Sequence, residues 1–276
     1  MRVTLPVFSA IFILFFSASC NNSKISGSAT GSSKDADVIS VMSYNIHHAN
    51  PPSKPNVIDL QAIANVINKQ KPHLVALQEV DVHTNRSGIK LHEAEELARL
   101  TNTTAYFGKA IDHDGGEYGV AILSKFPMSN MRNFALPTAE GTNGEHRTLA
   151  TAIITLPGNK KILFASTHLD AQKHDTNRIL QINKILEILK KETLPIIIAG
   201  DFNDVPSSKV IGFLDSYFMR TCTTGCPFTI PVSNPNKTID FIAYTPSSKF
   251  SLMGHEVIDE KYASDHLPVI AEFKIK

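Results

Sequence analysis

The sequence predicts an α/β domain built on mixed β-sheets. Three observations carry this. Apolar runs at 73–77 and 196–199 are continuous, as in strands buried on both faces. Helical stripes at 57–70 and 176–189 stand between strand signals. Later in the chain, β-prone runs flank turn signals such as Pro157-Gly158-Asn159 and read as hairpins. Early alternation followed by hairpins argues for mixed rather than purely parallel sheets.

The elements follow in order. Arg2, the apolar run 3–16 and the small residues Ser17-Ala18-Ser19 read as a secretory signal over residues 1–19. Cys20 stands where a bacterial lipoprotein carries its lipidated cysteine. Residues 20–37 are rich in Ser, Gly, Thr and Ala and predict a flexible tether. The remaining 38–276 form one domain. Its first strand is 38–44, followed by the 57–70 helix, which Pro72 follows, and the 73–77 strand ending at Gln78-Glu79. A helix at 91–100 precedes strands at 104–109, 118–123 and 128–136, with turns at Asp114-Gly115-Gly116 and Pro127. Strands 148–156 and 161–167 flank the proline-glycine turn. The 176–189 helix has its apolar stripe at 179, 182, 185, 186 and 189. Strands at 196–199, 239–244 and 267–273 complete the set.

Composition narrows the function classes. The chain has 276 residues, 42% apolar and 19% charged, enough for a packed core and against extensive disorder. Its 27 basic and 26 acidic residues leave a net charge of +1, so it wears no strongly basic coat. No apolar run reaches the roughly 20 residues of a membrane-spanning helix. Three cysteines are too few for a disulfide scaffold or a structural zinc cluster. Cys222 and Cys226 suit a local disulfide in an exported protein.

The polar residues fall in a pattern. Asn45, Glu79, His168, Asp201, Asn203 and Asp240 each lie at or near the end of an apolar strand, and Asp265-His266 precedes the last one. Carboxylates at buried strand ends are costly unless something pairs with them. Oxygen donors without cysteine favour a hard cation, Mg²⁺ first, with Mn²⁺ or Ca²⁺ as alternatives. The histidines offer acid–base groups near neutral pH, and the asparagines offer donors to an anionic oxygen.

These residues carry a resemblance. Ser43-Tyr44-Asn45, Leu77-Gln78-Glu79-Val80, Ser166-Thr167-His168-Leu169, Gly200-Asp201-Phe202-Asn203, Ile239-Asp240-Phe241-Ile242 and Ser264-Asp265-His266-Leu267-Pro268 resemble, in order, the motifs of the endonuclease/exonuclease/phosphatase superfamily. The resemblance implies a four-layer α/β sandwich of two packed mixed sheets flanked by helices. It implies Glu79 as the principal Mg²⁺ ligand, with Asn45 beside it and Asp265 nearby. It implies that His266, oriented by Asp240, handles the proton of the attacking water, which Asp201 holds or activates. Asn203 and His168 would donate hydrogen bonds to the phosphate. Arg147 is placed to support phosphate or a carboxylate, and Asp170, two residues after His168, points the same way on an extended segment. His47, His48, His92, His113 and His146 read as surface or loop residues.

The expected activity is therefore Mg²⁺-dependent hydrolysis of phosphate esters by a phosphodiesterase outside the cytoplasm. A small or lipid-derived ester is favoured over DNA or RNA, since the chain has no tryptophan and no basic excess. A secreted nuclease is the alternative, and a surface module that binds phosphorylated ligands is the alternative of another class. The chain is expected to be a monomer, held to the membrane by an N-terminal lipid anchor and facing the periplasm or cell surface.

Overall fold

Two six-stranded mixed sheets stack face to face in the computed structural model, which describes residues 1–3, 38–247 and 249–276. The signal, lipid-anchor and tether expectations fall on residues outside this described set. The first sheet comprises β1 (Val38–Asn45), β2 (Leu74–Val82), β3 (Thr104–His113), β4 (Gly116–Ser124), β11 (Phe250–Val257) and β12 (Val269–Ile275). Its order is β11-β12-β1-β2-β4-β3. The second comprises β5 (Met128–Leu136), β6 (Arg147–Thr155), β7 (Lys161–His168), β8 (Ile196–Asp201), β9 (Met219–Arg220) and β10 (Asp240–Tyr244), ordered β5-β6-β7-β8-β10-β9. Each sheet holds one parallel pair at its centre, β1 with β2 and β7 with β8.

Three apolar layers explain the stacking. Ile39, Val41, Leu74 and Ile122 of the first sheet meet Ala152, Phe164, Ile197 and Ile242 of the second. On the outer face of the first sheet, Val75, Leu77 and Leu123 pack with Ile63 and Ile67 of α1 (Leu60–Gln70) and Leu97 of α2 (Glu93–Thr101). On the outer face of the second, Leu163, Ile196 and Ile198 pack with Ile182 and Ile185 of α3 (Thr176–Leu189) and Leu214 of α4 (Lys209–Asp215). Helix, sheet, sheet and helix form four layers, as the resemblance implied. Because both faces of the central strands are covered, these strands read as continuous apolar runs.

The boundaries differ from expectation for local reasons. Helix α1 begins three residues later than its stripe suggests, because Asp59 caps it by accepting the Ala62 N–H at 3.0 Å. His92 caps α2 in the same manner, accepting from Glu95 N at 3.3 Å, and so shortens the expected 91–100 helix at its start. Strand β11 and helix α4 have no counterpart among the sequence signals. Cys222 and Cys226 form the local disulfide, with Cα atoms 5.6 Å apart.

One glycine lets two central strands approach closely at their polar ends. Strands β7 and β8 pair in parallel, with Thr167 beside Gly200 and His168 beside Asp201. A Cβ on Gly200 would stand 2.2 Å from the Thr167 carbonyl oxygen. Gly200→Ala must therefore force the two strands apart, a cost of about 1–3 kcal/mol for overpacking. Urea unfolding of the variant should show that loss, and an unchanged midpoint would mean the strands part freely there.

Candidate active site

The ends of the central strands meet in one place. Asn45 closes β1, His168 closes β7, Asp201 closes β8, and Asp240 opens the antiparallel β10 directly opposite Asp201. His266 stands in the loop before β12. Both sheets therefore contribute, with β1, β2 and the β12 approach supplying one side and β7, β8 and β10 the other.

Glu79 reaches this point through a β-bulge. Pairing of β2 with β4 shifts register between Leu77 and Val80, so Gln78 and Glu79 face a single residue of the partner strand. Glu79 adopts φ +58°, in the left-handed region that non-glycine residues seldom occupy. Such strain concentrates at functional positions. The bulge turns the carboxylate to Asn45, whose Nδ2 donates to Glu79 Oε1 at 3.1 Å.

Asn45 is fully buried and acts as a strut. Its Nδ2 also donates to Asp201 Oδ2 at 3.1 Å, and its Oδ1 accepts the His47 N–H at 3.1 Å. In this orientation the amide presents hydrogens to both carboxylates, and ligating a cation would require the amide to turn.

Asp201, Asp240 and His266 form a buried triad. His266 Nδ1 lies 2.9 Å from Asp240 Oδ2, and His266 Nε2 lies 3.7 Å from Asp201 Oδ2. Burial opposes a charge on His266, but Asp240, by charge and hydrogen bond, and then Asp201 and Asp265 outweigh it and raise its pKa to about 10. Burial and the Asp240 charge push Asp201 up to about 7. The ring is therefore arranged to hold its proton, and Asp201 is the group whose proton affinity suits a base near neutral pH. Asp240 keeps Oδ1 buried without a hydrogen-bond partner.

His168 has the opposite character. Burial and the Arg147 guanidinium, whose Nη1 donates to His168 Nδ1 at 3.2 Å, hold its pKa well below the ordinary value. It is a neutral imidazole, 3.5 Å from Asp201 through Nε2. The Asn203 amide lies 2.9 Å from the same Nε2, and Asn203 N–H donates to Asp201 Oδ1 at 2.8 Å. Asn203, at φ +51°, thus fixes both neighbours from a left-handed turn.

The remaining expected residues divide. Arg147 is buried and also pairs with Glu145 at 2.8 Å, so it touches the site through His168. Asp170 is buried too, but its Oδ2 accepts the Glu145 N–H at 3.0 Å and secures that loop. Asp265 stands beside the triad, with Oδ1 3.4 Å from Ser264 Oγ. Ser264 Oγ in turn donates to the Asn45 carbonyl at 2.7 Å, joining the last loop to β1.

Two residues read as loop positions in the sequence belong here. His47 and His48 lie against Glu79, with His48 Nδ1 4.0 Å from Glu79 Oε2. Beside Glu79, a cavity of about 90 Å³ is lined by Arg86, His113, Tyr118 and Glu145. Arg86 is held there by a bidentate pair with Asp81, at 2.7 and 2.8 Å. The Asn45-Ile46-His47-His48 run is the only available signal, because these residues come directly after a strand end.

Glu79 is suited to a divalent cation. Burial works against its charge, but the neighbouring His48 ring, the Asn45 amide and the His266 charge more than compensate and keep it ionised. The donor atoms of His47, His48 and Glu79 lie within 4.8 Å of one another, as do those of Asp201, Asp240 and His266. The divalent ion that the resemblance implies fits this chemistry.

Comparison with known proteins agrees with the geometry. No curated protein sequence matches the chain. A Beutenbergia cavernae endonuclease/exonuclease/phosphatase shares the fold at 23% identity and TM-score 0.72, over 87% of this chain and 72% of that one. A Bacteroides thetaiotaomicron mannosyl-6-phosphatase aligns at 18% identity and TM-score 0.70, over 85% of this chain and 99% of that one. The human Nocturnin catalytic domain aligns at 20% identity and TM-score 0.67, covering 87% and 94%. The family model described as Endonuclease/Exonuclease/phosphatase family matches residues 42–266, which span every strand end described above. The chain therefore belongs to the endonuclease/exonuclease/phosphatase family of divalent-metal-dependent phosphoester hydrolases.

Proposed function

We propose that the protein hydrolyses a small phosphate ester, a phosphodiester first, with a divalent cation held at Glu79. One observation carries the reading. The buried Asp201–Asp240–His266 triad is joined to Glu79 through the Asn45 amide, so a proton acceptor, a proton-bearing imidazole and a cation ligand stand side by side. When bound, the cation supplies charge neutralisation at the phosphate, with Mg²⁺ and Mn²⁺ the leading ions. Asp201 accepts the proton of the attacking water. His266, held charged by Asp240, donates toward the oxygen on which charge builds. Asn203 and neutral His168 orient Asp201 and offer hydrogen bonds to the phosphate.

The size of the adjoining cavity favours a small leaving group. At about 90 Å³, with one arginine already paired to Asp81, it suits a compact polar group better than a duplex backbone. The mannosyl-6-phosphatase among the proteins sharing this fold is consistent with a sugar-sized group. Steady-state assay against bis-(p-nitrophenyl) phosphate, p-nitrophenyl phosphate, sphingomyelin and plasmid DNA decides the class. Turnover confined to plasmid DNA would replace this reading with a nuclease.

Export and anchoring remain part of the proposal, supported by the 1–19 segment and Cys20. Among the described residues no helix is long and apolar enough to cross a membrane. Cys20→Ser should abolish lipid labelling and free the protein from the membrane fraction. Wild-type protein that carries no lipid label would overturn the anchor. We take the acting species to be a monomer.

A further inference from the structure

We propose that His47 and His48 complete, with Glu79, a mixed nitrogen–oxygen site that selects a transition-metal dication such as Mn²⁺ or Zn²⁺ over Mg²⁺. The inference rests on the reading above that Glu79 holds the cation, and it names the ion class.

The backbone is the first argument. After β1 the chain places His47, His48 and Ala49 at φ 48°, 41° and 54°. Three consecutive left-handed residues, none of them glycine, are costly for L-residues. The turn is braced from several sides. Ile46 N–H donates to the Gln78 carbonyl at 3.1 Å, and Asp59 N–H donates to the Ala49 carbonyl at 2.7 Å. Asn50 N–H returns to the His47 carbonyl at 2.8 Å. In an extended strand these neighbouring side chains would point to opposite faces. Here their ring centroids lie 4.5 Å apart, both beside Glu79. The bulge that sets Glu79 at positive φ converges on the same point.

The ring nitrogens are the second argument. His47 Nδ1 lies 2.8 Å from the Asn50 carbonyl oxygen, which can only accept. The ring must donate from Nδ1, so a neutral His47 carries its lone pair on Nε2. A backbone carbonyl fixing one nitrogen so that the other can ligate is the usual support of a metal-bound histidine. His48 Nδ1 is buried, has no hydrogen-bond partner and lies 4.0 Å from Glu79 Oε2. Two donors about 2.1 Å from one ion stand at most about 4.2 Å apart. The three donor atoms, within 4.8 Å of one another, need only a small contraction to share an ion.

The donor chemistry then sets the ion. Mg²⁺ demands oxygen ligands and gives up water reluctantly, whereas imidazole suits Zn²⁺, Fe²⁺ and Ni²⁺ best and Mn²⁺, at the weak start of the same affinity series, less strongly. The Mg²⁺ preference drawn from an oxygen-only set of Asn45, Glu79 and Asp265 is thereby revised. The Asp201, Asp240 and His266 group is the competing location, but its His266 Nδ1 is already engaged by Asp240.

The test is calorimetric titration of the chelator-treated full chain with MnCl₂, ZnCl₂ and MgCl₂. Mn²⁺ or Zn²⁺ should bind at least about 100-fold more tightly than Mg²⁺. His47→Gly and His48→Gly suit the test because glycine takes positive φ without strain and keeps the turn. Each should weaken Mn²⁺ and Zn²⁺ about 10–100-fold while changing Mg²⁺ affinity less than about threefold. Electron spin-echo spectra of the Mn²⁺ protein should show coupled imidazole nitrogen, reduced in each variant. Unchanged Mn²⁺ affinity in both variants, or no nitrogen coupling, overturns the histidine assignment even where Glu79→Gln still abolishes binding. Mn²⁺ affinity that survives Glu79→Gln instead overturns the Glu79 reading itself.

Discussion

His266→Ala should cut kcat about 10²–10⁴-fold, the range for losing a positioned proton donor or acceptor. Asp240→Asn should lose nearly as much, because the Asp240 carboxylate, 2.9 Å away, holds the ring in place and charged. The double variant should be little worse than either single one, since groups acting as a unit are not additive. A pH profile separates this from a structural role. Asp201, which burial and the Asp240 charge push up to about 7, works as a base only when ionised, so wild-type rate should rise with pH through that region. A cation at Glu79 would move that limb to lower pH. His266 contributes positive charge that lowers the Asp201 value. Removing it must shift the acid limb upward, while Asp240→Asn removes the larger, opposing Asp240 charge and should not shift it upward. Stopped assays from pH 5 to 9 read this directly. Two losses that multiply, or an acid limb that stays fixed in His266→Ala, would sink the dyad.

Glu79→Gln should be as damaging through a different quantity. The substitution keeps the shape of the side chain and removes its charge, and a cation site relies on that charge. We expect apparent metal affinity to fall at least about 100-fold, with partial recovery of turnover at high metal concentration. Chelation should bring wild type to background, and adding divalent cation should restore it. Metal titration of kcat at fixed substrate is the measurement. Full turnover in chelator would remove the cation from the mechanism. A variant dead at every metal concentration yet binding metal normally would make Glu79 a reacting group.

The sequence exposed most of the fold because the central strands are covered on both faces. Strand β8 appears as an unbroken apolar run, and its polar terminus Asp201 is conspicuous for being buried. The same logic reveals His168 and Asn45. Strand β11 is partly exposed, and its SLMGHEV stretch neither alternates cleanly nor forms an apolar run. Helix α4 has only 7 residues, too few to establish a period. The bulge at Gln78-Glu79 was invisible because register depends on the partner strand. The His47-His48 turn was hidden for another reason. A left-handed stretch is normally announced by glycine, and here neighbouring hydrogen bonds impose it instead.

Strand β12 has a consequence for timing. It lies between β11 and β1, although it is the last strand in the chain, and the loop before it delivers His266 to the triad. A nascent polypeptide that has emerged only as far as residue 260 possesses the Glu79, His168, Asp201 and Asp240 strands but no ring beside Asp240. Its β1 also keeps an open edge from Val38 to Ser43, where β12 would pair. The ring beside Asp240 and the missing neighbour of β1 are thus delivered together, by the one segment that runs from the His266 loop into β12.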